Sequence, residues 1–370
     1  MQLYHLTRFL DALAPPAWQE SYDNAGLQVG DPAQHITGAT LALDCTEAVV
    51  AEAVRRGHNL VVCHHPVVFR PLKSLTGRTE PERILLAAIR AGVAIYATHT
   101  NLDHVAHGVN AEFARRLGLL HPKILAPKAD GALRQLVTFV PGAEAREAVL
   151  AALHAAGAGQ IGAYRECSFR AEGTGRFRPT EVATPTIGQA GGPREEVAEE
   201  RLEVVFPAPA QAAVLAALRR AHPYEEVAYY LTRLDNEHPD VGAGMVGELP
   251  EPLAPAAFLA HLKAALHLPL IKHTAPPADG RLIRRVALCG GAGAFLIGAA
   301  RGAGADAFVT GDLKYHEYFQ ADGRLLLCDV GHYESEVATS ELLRVALQRE
   351  FPTFAAQLTE VVTNPVRYFV

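Results

Sequence analysis

The run Leu60-Val61-Val62-Cys63-His64-His65-Pro66 decides how this chain is read. Four apolar residues rich in β-branched types form a short buried strand. Pro66 removes a backbone donor and stops further pairing. Successive strand residues point to opposite faces, so two histidines inside a strand would part company. Where the strand breaks, the same pair can fan out over the carboxyl edge of an open α/β sheet, the edge at which such sheets bind ligands.

Outward from that strand the chain alternates. Strand Ala39 to Asp44 and helix Thr46 to Arg56 precede it; helix Glu80 to Ala91, strand Val93 to Thr98 and helix Val109 to Leu117 follow. Strands alternating with helices of this length make a mostly parallel sheet with helices on both faces. Before them, Leu3 to Ala14 has apolar residues at helical spacing and ends at Pro15-Pro16.

Past residue 125 the rhythm changes. Strand Gln135 to Val140, helix Ala143 to Ala156, a glycine-rich stretch, strand Arg201 to Phe206, helix Pro209 to Arg220 and a strand entered from His222 read as a small α+β, ferredoxin-like domain. Asn236 to Gly244, rich in turn residues, reads as its return linker. The α/β rhythm then resumes through strands Arg284 to Cys289, Ala307 to Thr310 and Arg324 to Val330. Val366 to Val370 closes the chain as an edge strand. The expected layout is a discontinuous α/β core, residues 1–125 and 241–370, interrupted by an insertion at 126–240.

Totals exclude several classes. The 370 residues carry a net charge of −6 and no Lys/Arg-rich block, which argues against nucleic acid as the primary partner. The longest apolar run, Val286 to Ala300, is too short to span a bilayer. Five cysteines without a CxxC pair, and no signal-peptide pattern at the start, fit a cytoplasmic protein.

Two further strand ends carry ligand-type residues: His99-Thr100-Asn101-Leu102-Asp103-His104 after strand Val93 to Thr98, and Gly331-His332-Tyr333-Glu334-Ser335-Glu336 after strand Arg324 to Val330. On a helix His332 and Glu336 are four apart and share a face, whereas Glu334 points elsewhere and reads as a helix-start carboxylate. His64, His65, Asp103, His332 and Glu336 make five nitrogen and oxygen ligands with no thiolate. A structural zinc takes four ligands and a catalytic zinc three, so five suit two divalent ions sharing a carboxylate. Zinc, iron, manganese, cobalt and nickel are all compatible with this donor set. His99 and His316 are the candidate proton carriers, with His104 behind them, and Asp312 is a candidate partner of the site. Gly290-Gly291-Ala292-Gly293 reads as a tight turn.

In these pieces the chain resembles the GTP cyclohydrolase I type 2 homologue family, the Nif-three-like dinuclear-metal proteins. The motifs are Asp23-Asn24-Ala25-Gly26-Leu27-Gln28-Val29-Gly30, His64-His65-Pro66, Thr98 to Asp103, Thr310-Gly311-Asp312-Leu313-Lys314-Tyr315-His316, and Gly331 to Glu336. The resemblance implies that His64, His65, Asp103, His332 and Glu336 hold two metals, and that the protein is a ring-shaped homohexamer, a trimer of dimers. The middle segment resembles a PII/CutA-like insertion, carried by Gly157 to Tyr164, Cys167-Ser168-Phe169 and His222-Pro223-Tyr224-Glu225-Glu226. The expected activity is metal-dependent hydrolysis of a phosphoester or of a purine nucleotide-type substrate. The alternative is a non-enzymatic ring for metal handling, regulation or scaffolding. An Arg/Lys fork beside the metals would separate the two, with Arg70 and Lys314 as candidates.

Overall fold

Period-two and period-3.6 apolar patterns place the first elements: α1 (Leu3–Leu13), β1 (Gly26–Val29), β2 (Ala39–Asp44), α2 (Glu47–Arg55), β3 (Leu60–His65), α3 (Glu80–Ala91), β4 (Ala94–Ala97), α4 (Thr100–Asp103), α5 (Val109–Arg116) and β5 (Leu120–Lys128). The structure, a computed structural model, describes residues 1–129, 131–277 and 279–369. Next come β6 (Leu133–Val140), α6 (Gly142–Ala155), β7 (Phe169–Phe177), β8 (Glu195–Pro207), α7 (Gln211–Ala221) and β9 (Tyr229–Leu234). The last third holds β10 (His238–Leu253), α8 (Pro255–Ala265), β11 (Lys272–His273), β12 (Ile283–Ala292), α9 (Ile297–Gly302), β13 (Ala307–Gly311), β14 (Leu326–Asp329), α10 (His332–Glu336), α11 (Thr339–Glu350) and β15 (Ala356–Leu358).

Contacts divide the chain into two compact units, Met1–Pro127 with Asp240–Val370, and Lys128–Pro239. In the first unit the strands are shared between two sheets rather than gathered in one. The first sheet runs β1-β4-β3-β2-β15 and the second β11-β14-β13-β12-β10-β5. At one edge of the first, β1 pairs antiparallel with β4 and covers it, while β15 of the returning chain adds to the other edge beside β2. The rest of the returning strands build the second sheet, β10 lying antiparallel to β12. Pairings β15/β2, β2/β3, β3/β4, β12/β13 and β13/β14 are parallel.

Helices cover both faces, as the continuous apolar strands require. On the first sheet, Val61, Cys63, Ile95 and Ala97 pack against Val49, Val50 and Ala53 of α2 and Ile84 and Ala88 of α3, and α11 lies against β2 and β3. On the second, α5 and α8 supply Phe113, Phe258 and Leu262 to one face. The other face receives Ile297 and Ala300 of α9. At roughly 25 cal/mol per Å² of apolar surface, each fully buried Leu or Phe here contributes about 2 kcal/mol before entropy is charged.

The second unit has the connectivity β-α-β-β-α-β with sheet order β7-β8-β6-β9, antiparallel throughout, which is the ferredoxin-like arrangement. Helices α6 and α7 bury Val149, Leu153, Val214 and Leu218 against Leu136, Leu202 and Phe206.

Two expectations need correction. Residues expected to link the insertion back belong mostly to β10, because Gly242 lets that strand lie close against β5, where a Cβ would sit 2.2 Å from Ala126 O, and turn composition looks the same as this close approach. The expected terminal strand is absent from residues 366–369, and Val370 lies outside the described residues. Pro365 offers no donor and the Val366 amide bonds to Asn364 Oδ1, so that backbone cannot enter a ladder. The strand at that sheet edge is β15. Among the described residues, no helix is long and apolar enough to cross a membrane.

Candidate metal centre

In the first sheet, parallel register sets Asp44 beside His65 at the ends of β2 and β3. The His65 Nδ1 to Asp44 Oδ1 distance is 2.7 Å. One residue earlier, His64 is fully buried, with Nδ1 3.4 Å from Thr98 Oγ1. β4 gives way to the single turn α4, which ends on Asp103. His99, just before it, pairs Nδ1 with Asp23 Oδ1 at 2.6 Å, and Thr100 donates its amide and hydroxyl to Asp23 Oδ2.

The second sheet works through a turn. Gly331, at φ 94°, breaks β14 into α10, where a side chain would be strained and its Cβ would collide with Glu334. His332 and Glu336 then stand one helical turn apart, Nε2 to Oε2 3.0 Å. His332 Nδ1 lies 2.8 Å from Asp312 Oδ2, the residue that follows β13. Gly291, at φ 62°, leaves the room Glu336 occupies: a Cβ there would sit 2.3 Å from Oε1.

These ends converge. Glu336 Oε2 is 3.0 Å from His65 Nε2, and Oε1 is 3.9 Å from His64 Nε2. His64 Nε2 is 3.5 Å from Asp103 Oδ1, and the Nε2 atoms of His65 and His332 are 3.4 Å apart. His64, His65 and Glu336 offer ligand atoms within 4.8 Å of one another, close enough to hold one metal ion. His332 and Asp103 stand against that group. His99 rings lie 5.5 Å and 5.6 Å from those of His64 and His65, so His99 borders the cluster. His316 packs its exposed ring on Tyr315 and Phe319 instead. His104 is buried, held by Trp18 O and Glu20.

The donors fit a cation. His64 Nε2 and Asp103 Oδ1 are buried and have no hydrogen-bond partner, a costly condition that a metal ion relieves. Burial pushes His64 down to about 3, against the pull of Glu336, so its imidazole is neutral as a ligand must be. Burial also pulls on His65, but Asp44 and Glu336 outweigh it and hold the ring up at about 10. His332 is likewise lowered by burial but raised more by Glu336 and Asp312, to about 9. The protons on those two rings are what a divalent ion would displace. Burial and then Glu336 push Asp103 upward, while Glu336, despite its burial, is held well below the carboxylate range by His332 and His65.

Two cavities border the cluster. One, about 390 Å³, is lined by Asp44, His65, His332, Glu334, Asn364 and Tyr368 among others. The other, about 470 Å³, includes Tyr22, His99, Asp103, Cys289, His332 and Glu336. Lys272, tied to Asp329 at 2.6 Å, is the one Lys or Arg lining either, among the described residues. Arg70 and Lys314 are exposed and line neither.

Sequence reasoning passed over Asp23 and Asp44, the carboxylates that orient His99 and His65. Asp44 ends a strand as His65 does, and that shared position was a usable signal. Gly291 gave none, since its role appears only where Glu336 arrives.

A family model described as Duf34/NIF3 (NGG1p interacting factor 3) matches residues 1–365. A Mycobacterium leprae protein named GTP cyclohydrolase 1 type 2 homolog is 37% identical over 368 residues, covering 98% of this chain and 94% of that protein. A Bacillus subtilis protein of the same name is 35% identical over 370 residues, covering 98% and 97%. Among solved structures, a Bacillus cereus protein related to NIF3 has a TM-score of 0.84 at 34% identity, over 100% of this chain and 99% of its own. The Staphylococcus aureus protein SA1388 has a TM-score of 0.78 at 28% identity, over 100% and 99%.

Proposed function

Since the chain belongs to the Duf34/NIF3 family, we propose that it is a hydrolase using two divalent metal ions to break a C–N bond of a purine-type ring. One observation carries the metal reading: neutral, buried His64 groups with His65 and Glu336, while the orphaned Asp103 oxygen lies 3.5 Å from His64 and His332 lies 3.0 Å from Glu336. Two ions there would be held by His64, His65, Asp103, His332 and Glu336, lowering the pKa of a coordinated water and polarising the bond under attack.

The protein's own groups have separate tasks. Asp44 and Asp312 engage Nδ1 of His65 and His332, which turns each Nε2 toward the cluster. Asp23 engages Nδ1 of His99, so Nε2 is the atom through which His99 holds or passes a proton beside Asp103.

Charge ranks the substrates. Asp23, Asp44, Asp103, Asp312 and Glu336 bring five carboxylates, and two divalent ions offset four of those charges. Without an Arg/Lys fork, and with Lys272 already paired to Asp329, little positive charge is left for the phosphates of a polyanion, so a C–N bond ranks above a phosphoester. The printed name of the relatives, GTP cyclohydrolase 1 type 2 homolog, supports a purine-type ring.

The proposed setting is the cytoplasm, supported by five free cysteines. The proposed assembly is a homohexamer, a trimer of dimers. Exposed Tyr22, Phe295, Tyr315 and Phe319 supply apolar surface for it, and light scattering would give about six times 39.7 kDa.

The test is metal analysis of protein purified without added metal, paired with a hydrolysis screen over purine nucleosides and phosphoesters. Wild type is expected to carry about two ions per chain, and His64→Ala and Glu336→Ala to lose one or both together with turnover. Turnover surviving metal removal overturns the reading. Metals retained without turnover on any substrate would make the protein a metal-handling ring.

A further inference from the structure

Beyond β15 the chain runs without regular structure across the ends of both sheets of the first unit. Thr359 still donates its amide to Leu41 O at 2.9 Å, and its hydroxyl, with the Glu360 amide, goes to buried Glu52 of α2. Thr363 Oγ1 then donates to Asp44 Oδ2 at 2.7 Å, behind His65. Asn364 Nδ2 and the Tyr368 hydroxyl both donate to Glu334 Oε1, each at 3.0 Å. Glu334 lies on the same helical turn as His332 and Glu336.

Past Val361, which packs against the core of the first sheet, the burial pattern of this segment is inverted. Val362 is 68% exposed, Val366 51% and Phe369 fully, while Thr363, Asn364 and Tyr368 turn inward. A tail held by the hydrophobic effect would bury its apolar residues. This one directs its polar groups at carboxylates beside the metal ligands. Glu334, for its part, gives Oε1 to the tail while Oε2 lies over Gly331 at the start of its own helix.

We propose that residues 359–369 are a positioning clamp for the metal centre. Thr363 holds Asp44 and thereby His65 of the first sheet, and Asn364 with Tyr368 holds Glu334 and thereby the His332–Glu336 turn of the second. The inference rests on the metal reading above and adds that the two ligand-bearing ends are locked together by a segment carrying no ligand. Asp44 has two anchored oxygens, so its contact with the ring has one orientation; loss of the Thr363 bond lets the carboxylate and then the imidazole swing. Partners of this kind set ligand geometry, and their removal weakens metal binding by roughly 10–100-fold.

Cobalt(II), added to metal-free full-length protein, tests this through its dissociation constant and its visible absorption bands. Thr363→Val keeps the shape and deletes the donor, whereas Thr363→Ser keeps the donor. Glu334→Ala deletes the acceptor, whereas Glu334→Gln keeps Oε1. We expect Thr363→Val and Glu334→Ala to bind at least about tenfold more weakly with shifted bands, and the Ser and Gln variants to stay within about threefold of wild type. Metal-free melting of all four should match wild type closely enough to exclude unfolding. Wild-type affinity and spectrum in Thr363→Val and Glu334→Ala would overturn the clamp and leave the metal centre standing. A wild type that binds no cobalt would overturn both. Should Glu334→Ala fail to fold, Tyr368→Phe, which removes one bond to the same oxygen, takes its place with a smaller shift expected in the same direction.

Discussion

The two sheets of the core unit deliver metal-binding side chains by different means. The first presents His64 and His65 on the end of a strand that is parallel-paired on both sides, so their positions follow from the ladder. The second presents His332 and Glu336 on one turn of helix, entered through Gly331 in a conformation that L side chains rarely adopt. A ladder is cooperative and tolerant of substitution at its tip. A turn is local, so its accuracy rests on the few residues that shape and surround it. The same chemistry thus has a half whose backbone is fixed by a ladder and a half whose backbone depends on a turn, and changes that strain or displace the backbone should fall mainly on the dependent one.

Gly291→Ala should have the largest effect. A methyl group at φ 62° and 2.3 Å from Glu336 Oε1 must displace the carboxylate. We expect metal content to fall below half of wild type and metal-free stability to drop by about 1–3 kcal/mol in denaturant titrations. Unchanged metal content would show that the turn is not the dependent half. A finer division comes from the carboxylates behind the histidines. Asp44 is 33% exposed and doubly bonded, Asp312 is 57% exposed with φ 55°. Asp44→Ala should weaken cobalt binding by roughly 10–100-fold and Asp312→Ala by less, since water can replace an exposed acceptor. The reverse order, read by competition with a chelator, would mean that local exposure does not set the dependence.

The smallest effect concerns acid stability. Burial raises the Asp23 carboxyl, but His99 and Thr100 outweigh it and hold it down at about 2, against an ordinary aspartate value of 3.8. A depressed folded pKa stabilises fully above about pH 4, and the contribution is lost as pH falls toward about 2. In metal-free protein, Asp23→Asn should therefore be less stable than wild type near neutrality. The gap should close across that window. A gap independent of pH would assign the loss to packing rather than to charge.

How much of this was legible depends on range. His64-His65-Pro66 was readable because an apolar strand, two imidazoles and a terminator are contiguous. His332 and Glu336 were readable because helical periodicity puts them on one face. The βαββαβ character of the insertion came from the same local patterns, and its ferredoxin-like strand order bore them out. The turn-rich residues after Asn236 misled, because a glycine-bearing strand pressed close to its neighbour and a linker share a composition. Val366 to Val370 misled in the opposite sense: β-branched residues promise a strand, but Pro365 and the Asn364 side chain had already taken the backbone elsewhere.

Sequence alone determined the alternation of elements, the apolar interior and the identity of the side chains able to bind a cation, since these depend on neighbours within one or two turns of chain. Only the tertiary structure decided that the core strands form two sheets, that Asp44, Asp23 and Asp312 stand behind particular histidines, and that the C-terminal residues reach Asp44 and Glu334. Those contacts join residues from tens to hundreds of positions apart. Which groups meet at such separations is set by sheet order and crossover, and neither is encoded in any single stretch of the chain.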